Sequence, residues 1–269
     1  MNTKIAFIGA GKIATAISLG LLNSGSFFPE QFYATARTQQ TVQNYQKLTG
    51  IQNVQYLENK IAIENSQAII ICTKPFQISD LSKEIAPFCS QKLIISLAAG
   101  YKLETLFKNF SHKKIIRVLP NTPVTVMLGA SAYSMGPGCN QEDEEICKNI
   151  FNTIGKLYKV EEHLMDAVCG ISGSGPAYVY EFIQGIVDAG IKQGLEKEIA
   201  LGLAVQTVLG AATMLDRKFG SPEDLKNAVT TPNGTTYAAL QVMKEQKFKD
   251  IIDDFVNACV KRSVELGKN

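Results

Sequence analysis

Two runs in the first half of the chain, Ala68-Ile69-Ile70-Ile71-Cys72 and Leu93-Ile94-Ile95-Ser96, are apolar without the alternation of a half-exposed strand. Strands of that kind have to be covered on both faces, which restricts the fold to a sheet held between layers of helices. Further β-rich runs at 4–8, 32–36, 54–57 and 114–118 alternate with helical periodicity, the signature of a parallel sheet. A strand near 130–134, a helix at 141–154 and a strand at 155–160 extend the sheet in an order left open. Beyond about residue 166 strand signals stop, and helices are expected at 176–194, 199–217, 222–230, 236–245 and 248–266. The expected fold class is therefore α/β: a Rossmann-type doubly wound, mostly parallel sheet over residues 1–164, then an all-α domain over residues 165–269.

With 45% hydrophobic and 19% charged residues the chain is too apolar for a disordered one, and its net charge of +2 comes from scattered lysines. No basic stripe is present to follow a phosphate backbone, so nucleic acid is not an expected partner. The six cysteines form no C-x-x-C pair and have no nearby His, so they read as reduced thiols and no metal is expected. The first apolar run is broken by Gly9, Gly11 and Lys12, unlike an export signal. No stretch approaches the ~20 apolar residues of a membrane helix. A cytoplasmic protein is expected, without a membrane partner. Gly185, Ala189, Gly202, Ala204, Gly210, Ala211 and Ala212 put small side chains on two successive apolar helices, a composition suited to a dimer interface as well as to a bundle.

Gly9-Ala10-Gly11-Lys12-Ile13-Ala14 is a G-x-G-x-x-A turn between an expected strand and an expected helix running to Asn23. Gly9 permits the tight turn, Gly11 lets backbone approach a pyrophosphate, and Ala14 keeps helix and strand in contact. Where an NAD-selective domain ends its second strand in an acid, this chain has Thr35-Ala36-Arg37-Thr38, which suits a 2′-phosphate. NADPH is the expected coenzyme, with NADH the alternative. Cys72-Thr73-Lys74-Pro75 and Ser96-Leu97-Ala98-Ala99-Gly100 follow the fourth and fifth strands, where ligands of open α/β sheets bind. Lys74 has two readings: an anchor for ribose or backbone carbonyls, or a catalytic acid.

Two hydroxyl-rich segments follow. Ile171-Ser172-Gly173-Ser174-Gly175-Pro176-Ala177-Tyr178 reads as a flexible loop ending in a helix-opening proline, with the make-up of an anion nest. Val229-Thr230-Thr231-Pro232-Asn233-Gly234-Thr235-Thr236-Tyr237 reads as a turn in which Thr235 caps the next helix, after a capping-box start at Ser221-Pro222-Glu223-Asp224.

With these segments, Arg117-Val118-Leu119-Pro120-Asn121-Thr122-Pro123 and the stretch 225–240, the chain resembles the pyrroline-5-carboxylate reductase family along nearly its whole length. The resemblance implies reduction of 1-pyrroline-5-carboxylate, a small imino acid, to L-proline. It implies a helical dimerisation domain, with homodimers assembled further as a pentamer of dimers. Asn59 and Asn121 join Gly9 to Ala14, Thr35, Arg37, Thr38, Cys72 to Pro75, Ala98 and Ala99 as expected coenzyme contacts. Substrate is expected at Ser172, Gly173, Ser174, Gly175 and Pro176 and at Gly234, Thr235 and Thr236, the latter set supplied by the same or the neighbouring subunit. The chain departs from the family where Pro-Gly-Gly is common and it has Pro232-Asn233-Gly234. Asn tolerates a left-handed backbone, so the turn should form.

No carboxylate lies in these loops, and His112 and His163 lie outside every motif. Catalysis is expected to rest on positioning an already electrophilic imine, with Thr236 hydrogen-bonded to its nitrogen. A 3-hydroxyacid dehydrogenase would need a lysine on the first long helix of the second domain, yet Lys192 sits late in that helix and lacks an accompanying Asn. A noncatalytic nucleotide-binding relative should have lost the threonine turn, which this chain keeps.

Overall fold

The computed structural model describes residues 3–267. In chain order the elements are β1 (Ile5–Ile8), α1 (Lys12–Asn23), β2 (Phe32–Ala36), α2 (Gln39–Thr49), β3 (Val54–Tyr56), α3 (Asn59–Glu64), β4 (Ala68–Ile71), α4 (Ile78–Ile85), β5 (Leu93–Ser96), α5 (Leu103–Phe110), β6 (Ile115–Leu119), β7 (Gly129–Met135), α6 (Gln141–Thr153), β8 (Gly155–Lys159), α7 (Met165–Val168), α8 (Gly175–Lys192), α9 (Lys197–Asp216), α10 (Pro222–Ala228), α11 (Thr235–Glu245) and α12 (Phe248–Leu266). They form two compact units. One runs through Ser174 and takes in the end of α12 from Cys259; the other is Gly175–Ala258.

The first unit is built on one sheet in the order β3-β2-β1-β4-β5-β6-β7-β8. Its central strands are buried on both faces, as their unbroken apolar pattern requires. Ile5, Phe7, Ala68 and Ile70 point into a core shared with α1, α2 and α6. Ala6, Ile8, Ile69 and Ile71 point into a second core shared with α3, α4 and α5. All neighbours are parallel except β6 and β7. Only the short 3-10 turn Thr122–Val126 separates those two strands, whereas a parallel crossover needs a dozen or more residues. The longer return through α6 then sets β8 parallel to β7.

Caps end the helices where the local chemistry demands. Thr38 accepts from the Thr41 amide at the head of α2, and Asn140 and Asp143 form a reciprocal box at the head of α6. The expected box at Ser221 and Asp224 opens α10.

The first compact unit continues past residues 164 and 165 as far as Ser174. The intervening segment packs on the sheet: Met165 is buried with Leu119 and Ala132, and Gly173 lies against Leu119. Ser263 near the end of α12 donates to Asp166 at 2.6 Å, which ties that helix end to the first unit. Below this layer Arg117 on β6 is buried, with its Nη1 3.4 Å from Glu162 Oε1. Glu162 Oε1 also accepts from the Leu103 amide at the head of α5, at 2.5 Å. Burial pulls the guanidinium below the usual arginine range, and the charges of Glu162 and Asp166 oppose that shift.

In the second unit Val187, Ala200 and Ala204 join α8 to α9, and the Tyr178 and Phe255 rings meet at 4.6 Å. The expectation that no stretch approaches a membrane helix is corrected here. Among the described residues α9 is long and apolar enough to cross a membrane by length and composition. Gly202, Thr207 and Gly210 interrupt its aliphatic residues to the eye but hardly lower its apolarity. Leu201, Leu203, Val205 and Leu209 on this helix remain exposed.

Removing the buried cation leaves Glu162 without its ion-pair partner. Arg117→Met is expected to lower the melting midpoint by about 6–12 °C, corresponding to roughly 3 kcal/mol. Adding Glu162→Gln should restore part of the loss, as read by calorimetry; an undiminished loss in the double variant would show that the pair does not act as one.

Candidate active site

β1 and β4 are neighbours, but the chain leaves β1 toward β2 on one side and β4 toward β5 on the other. A crevice opens at the carboxyl ends of strands at such a switch point. A cleft of about 750 Å³ lies there, bringing together Gly9, Ala10, Gly11, Thr35, Arg37, Thr38, Asn59, Cys72, Thr73 and Lys74.

Gly9 has φ +102°, and a Cβ built on it would lie 3.1 Å from the Thr73 side chain. Glycine is therefore dictated there by conformation and by close approach. Its amide and that of Ala10 both donate to the Thr35 carbonyl, at 3.2 and 2.7 Å, joining this turn to the end of β2. Gly11 is different. A Cβ there would meet nothing within 4 Å, so no packing in the chain explains its missing side chain. It stands at the N-cap of α1 without a side-chain cap, leaving the first-turn amides open toward the cleft. Thr73 Oγ1 is buried at the cleft without a hydrogen-bond partner. An open glycine cradle, an uncapped helix start and an orphaned hydroxyl suit a pyrophosphate group.

The end of β2 carries exposed Arg37, then Thr38, whose hydroxyl lies 2.8 Å from that of Thr41. Burial pushes the Cys72 thiol far above its usual range, so it faces the cleft uncharged. Lys74 is exposed, and its amide donates to Gln77 Oε1 at 3.2 Å.

Other expected coenzyme contacts sit elsewhere. Lys12 lines an adjoining hollow of about 390 Å³. Ala14 is fully buried, Ile13 packs on the same core, and Pro75 opens the 3-10 turn Pro75–Gln77. Ala98 is buried in the second core and Ala99 packs on the layer of Leu119 and Met165. Asn121 is turned to structure: its Nδ2 donates to the Ser172 carbonyl at 3.1 Å and its Oδ1 accepts from the Ala130 amide at 2.9 Å. Leu57, Phe76, Asp80 and Glu84, which also line the cleft, were not among the expected residues. Phe76 is 80% exposed, and Asp80 and Glu84 sit one helical turn apart on α4.

The serine segment is not the flexible loop its composition predicts. Cys169–Gly173 is a π-helical turn between α7 and α8, and the Ser174 amide donates to the Cys169 carbonyl at 2.9 Å. That amide is thereby lost to the expected anion nest. The Ser172 hydroxyl donates to the Val168 carbonyl at 3.3 Å, and the Cys259 thiol donates to Ser174 Oγ at 3.2 Å. Gly175 and Pro176 are the first two residues of α8.

In the second unit Asn233 takes the left-handed conformation at φ +60°, so the turn forms despite the departure from the family pattern. The N-cap of α11 is Gly234 rather than Thr235, and no side chain caps it. Thr235 and Thr236 instead occupy the first turn, where helix amides lack intrahelical acceptors.

A doubly wound sheet with a glycine cradle at its switch point, followed by a helical unit, defines a two-domain dinucleotide-dependent oxidoreductase. A family model for pyrroline-5-carboxylate reductase dimerisation matches residues 162–266, and one for NADP oxidoreductase, coenzyme F420-dependent, matches residues 4–100. The chain belongs to the pyrroline-5-carboxylate reductase family. It is 37% identical to pyrroline-5-carboxylate reductase of Arabidopsis thaliana, over 99% of this chain and 96% of that one. The Plasmodium falciparum enzyme, solved with NADP bound, superposes with a TM-score of 0.88 at 29% identity, over 99% and 98% of the two chains. That of Coxiella burnetii gives 0.91 at 29% identity over the full length of both.

Since Gly11 has free space around it, Gly11→Ala should leave the melting midpoint within about 2 °C of the parent. Calorimetric titration should nevertheless show dinucleotide affinity reduced at least about tenfold, because the methyl takes the room for the pyrophosphate. Unaltered affinity would remove Gly11 from the binding surface.

Proposed function

We propose that this protein reduces 1-pyrroline-5-carboxylate to L-proline with NADPH, as a cytoplasmic homodimer able to assemble as a pentamer of dimers. The full-length likeness to reductases of that name carries the reading, because it runs through both the cleft and the threonine turn. Gly9, Gly11 and the head of α1 hold the pyrophosphate, and Arg37 with Thr38 meets the 2′-phosphate. Bound NADPH supplies the hydride. The 165–269 region carries substrate binding and dimerisation.

The remaining work is positioning. A protonated cyclic imine is already electrophilic at carbon, so holding it in line accounts for much of the acceleration. The Ser174 hydroxyl, on a turn shaped by Ser172, Gly173, Gly175 and Pro176, and the first-turn amide of Thr235 after Gly234 hold the carboxylate. The Thr236 hydroxyl orients the ring nitrogen. Lys74 anchors ribose, with the alternative role of acid. Neither histidine takes part: His112 Nε2 is engaged with the Lys92 carbonyl at 2.9 Å, and His163 is exposed. The exposed aliphatic side chains of α9 are assigned to the partner subunit rather than to lipid.

Loss of absorbance at the reduced-nicotinamide band on adding pyrroline-5-carboxylate tests the reaction; no oxidation of NADPH or NADH would end the proposal. Thr236→Ala should lower the rate by about severalfold to a hundredfold while NADPH still binds, and unchanged turnover would remove Thr236 from the mechanism.

A further inference from the structure

The adenosine end of the cleft holds a side-chain pair from two elements that are not neighbours in sequence. Asn59, the first residue of α3, donates its Nδ2 to Glu84 Oε1 on α4 at 2.8 Å, and both line the cleft with Arg37 and Thr38. A carboxylate only accepts hydrogen bonds, so Glu84 fixes which end of the Asn59 amide is nitrogen and turns Oδ1 the other way. Asp80, one turn earlier on α4, has its charge balanced by Lys83 at 3.1 Å. Glu84 meets a neutral amide instead.

In a Rossmann domain the ribose of the adenosine half lies beyond the end of the second strand, where NAD-selective proteins place an acidic acceptor. This chain has Arg37 and Thr38 at that strand end. We infer that Glu84, tethered through Asn59, returns an acidic acceptor to the same region from α4 and restrains the preference for a 2′-phosphorylated coenzyme. A ribose 2′-hydroxyl can donate to a carboxylate or to an amide oxygen. A 2′-phosphate near neutral pH brings acceptors and negative charge, which suit Arg37 and oppose Glu84. Coenzyme choice is then a balance between a guanidinium on β2's end and a carboxylate on α4. Glu84 is a positioning and selectivity residue; it takes no part in hydride transfer.

The inference rests on the proposed use of NADPH, and its test is a binding measurement that needs no turnover. Adenosine 2′,5′-bisphosphate and 5′-AMP are titrated calorimetrically into the parent protein, Glu84→Gln, Asn59→Ala and the double variant. Glu84→Gln keeps an acceptor for Asn59 and removes the charge. It should raise the affinity for the bisphosphate relative to 5′-AMP by about fivefold or more, the size expected of one nearby unit charge acting through a partly solvated cleft. In the Asn59→Ala background, where the carboxylate loses its tether, the same substitution should shift the ratio less. A ratio unchanged in Glu84→Gln, or a decrease, overturns the inference, and an equal shift in both backgrounds overturns the tether. An enzyme that oxidises neither coenzyme with pyrroline-5-carboxylate would sink the proposed function while leaving these titrations to be read by themselves. Conversely, an active enzyme with an unmoved ratio would sink the role of Glu84 alone.

Discussion

The first unit depends on two adjacent strands, β1 and β4, whose chains leave in opposite directions. Because both strands are apolar at every position, helices cover both faces of the sheet, and the connections have to rise at the carboxyl edge. There the Gly9 turn comes close against Cys72 and Thr73 at φ +102°, where a side chain would be strained and would push its neighbours. That contact fixes the distance between the two loops, and with it the width of the cleft. The same backbone turn reaches the end of β2 through the Thr35 carbonyl, so the three loops that line the cleft are set by one short segment.

A second tie holds the serine turn on the sheet. Buried Arg117 pairs with Glu162, which fastens the head of α5, while Asp166 fastens the end of α12. A buried ion pair contributes little net stability over apolar packing, but its geometry is specific. Asn121 adds a second fastening, bridging the Ala130 amide and the Ser172 carbonyl. The π-turn is thus an ordered structure. Its glycines disfavour helix by intrinsic propensity, and packing of Gly173 on Leu119 overrides that preference.

The strands, the long helices and the glycine cradle are legible because each has a local cause: apolar runs, periodicity, the capping box at Ser221. The place of β7 in the strand order is not written in its own residues, but the nine residues between Leu119 and Gly129 are too few for a parallel crossover. Other features depended on contacts between distant segments. Glycines and serines at 172–175 look like a loop until their packing partner is known. Asn121 looks like a cleft residue until both ends of its amide find backbone partners. Asp80 and Glu84 look like an ordinary solvated helix face, and only the fold shows that this face borders the cleft beside Asn59.

The helical unit carries the converse lesson, since α9 passes for a membrane span by composition while its few buried residues are small. Val187, Ala200 and Ala204 form its apolar cluster, with Leu201, Leu203, Val205 and Leu209 left in solvent. So small a core offsets little of the conformational entropy lost on folding these helices. On the proposed dimer the exposed leucines supply the missing burial, at about 25 cal/mol per Å² of apolar surface removed from water. Folding of this unit then becomes linked to association, and its stability depends on protomer concentration. The threonine turn at the head of α11 belongs to this unit, so the order of Thr236 is coupled to assembly even though no part of its local sequence encodes an interface.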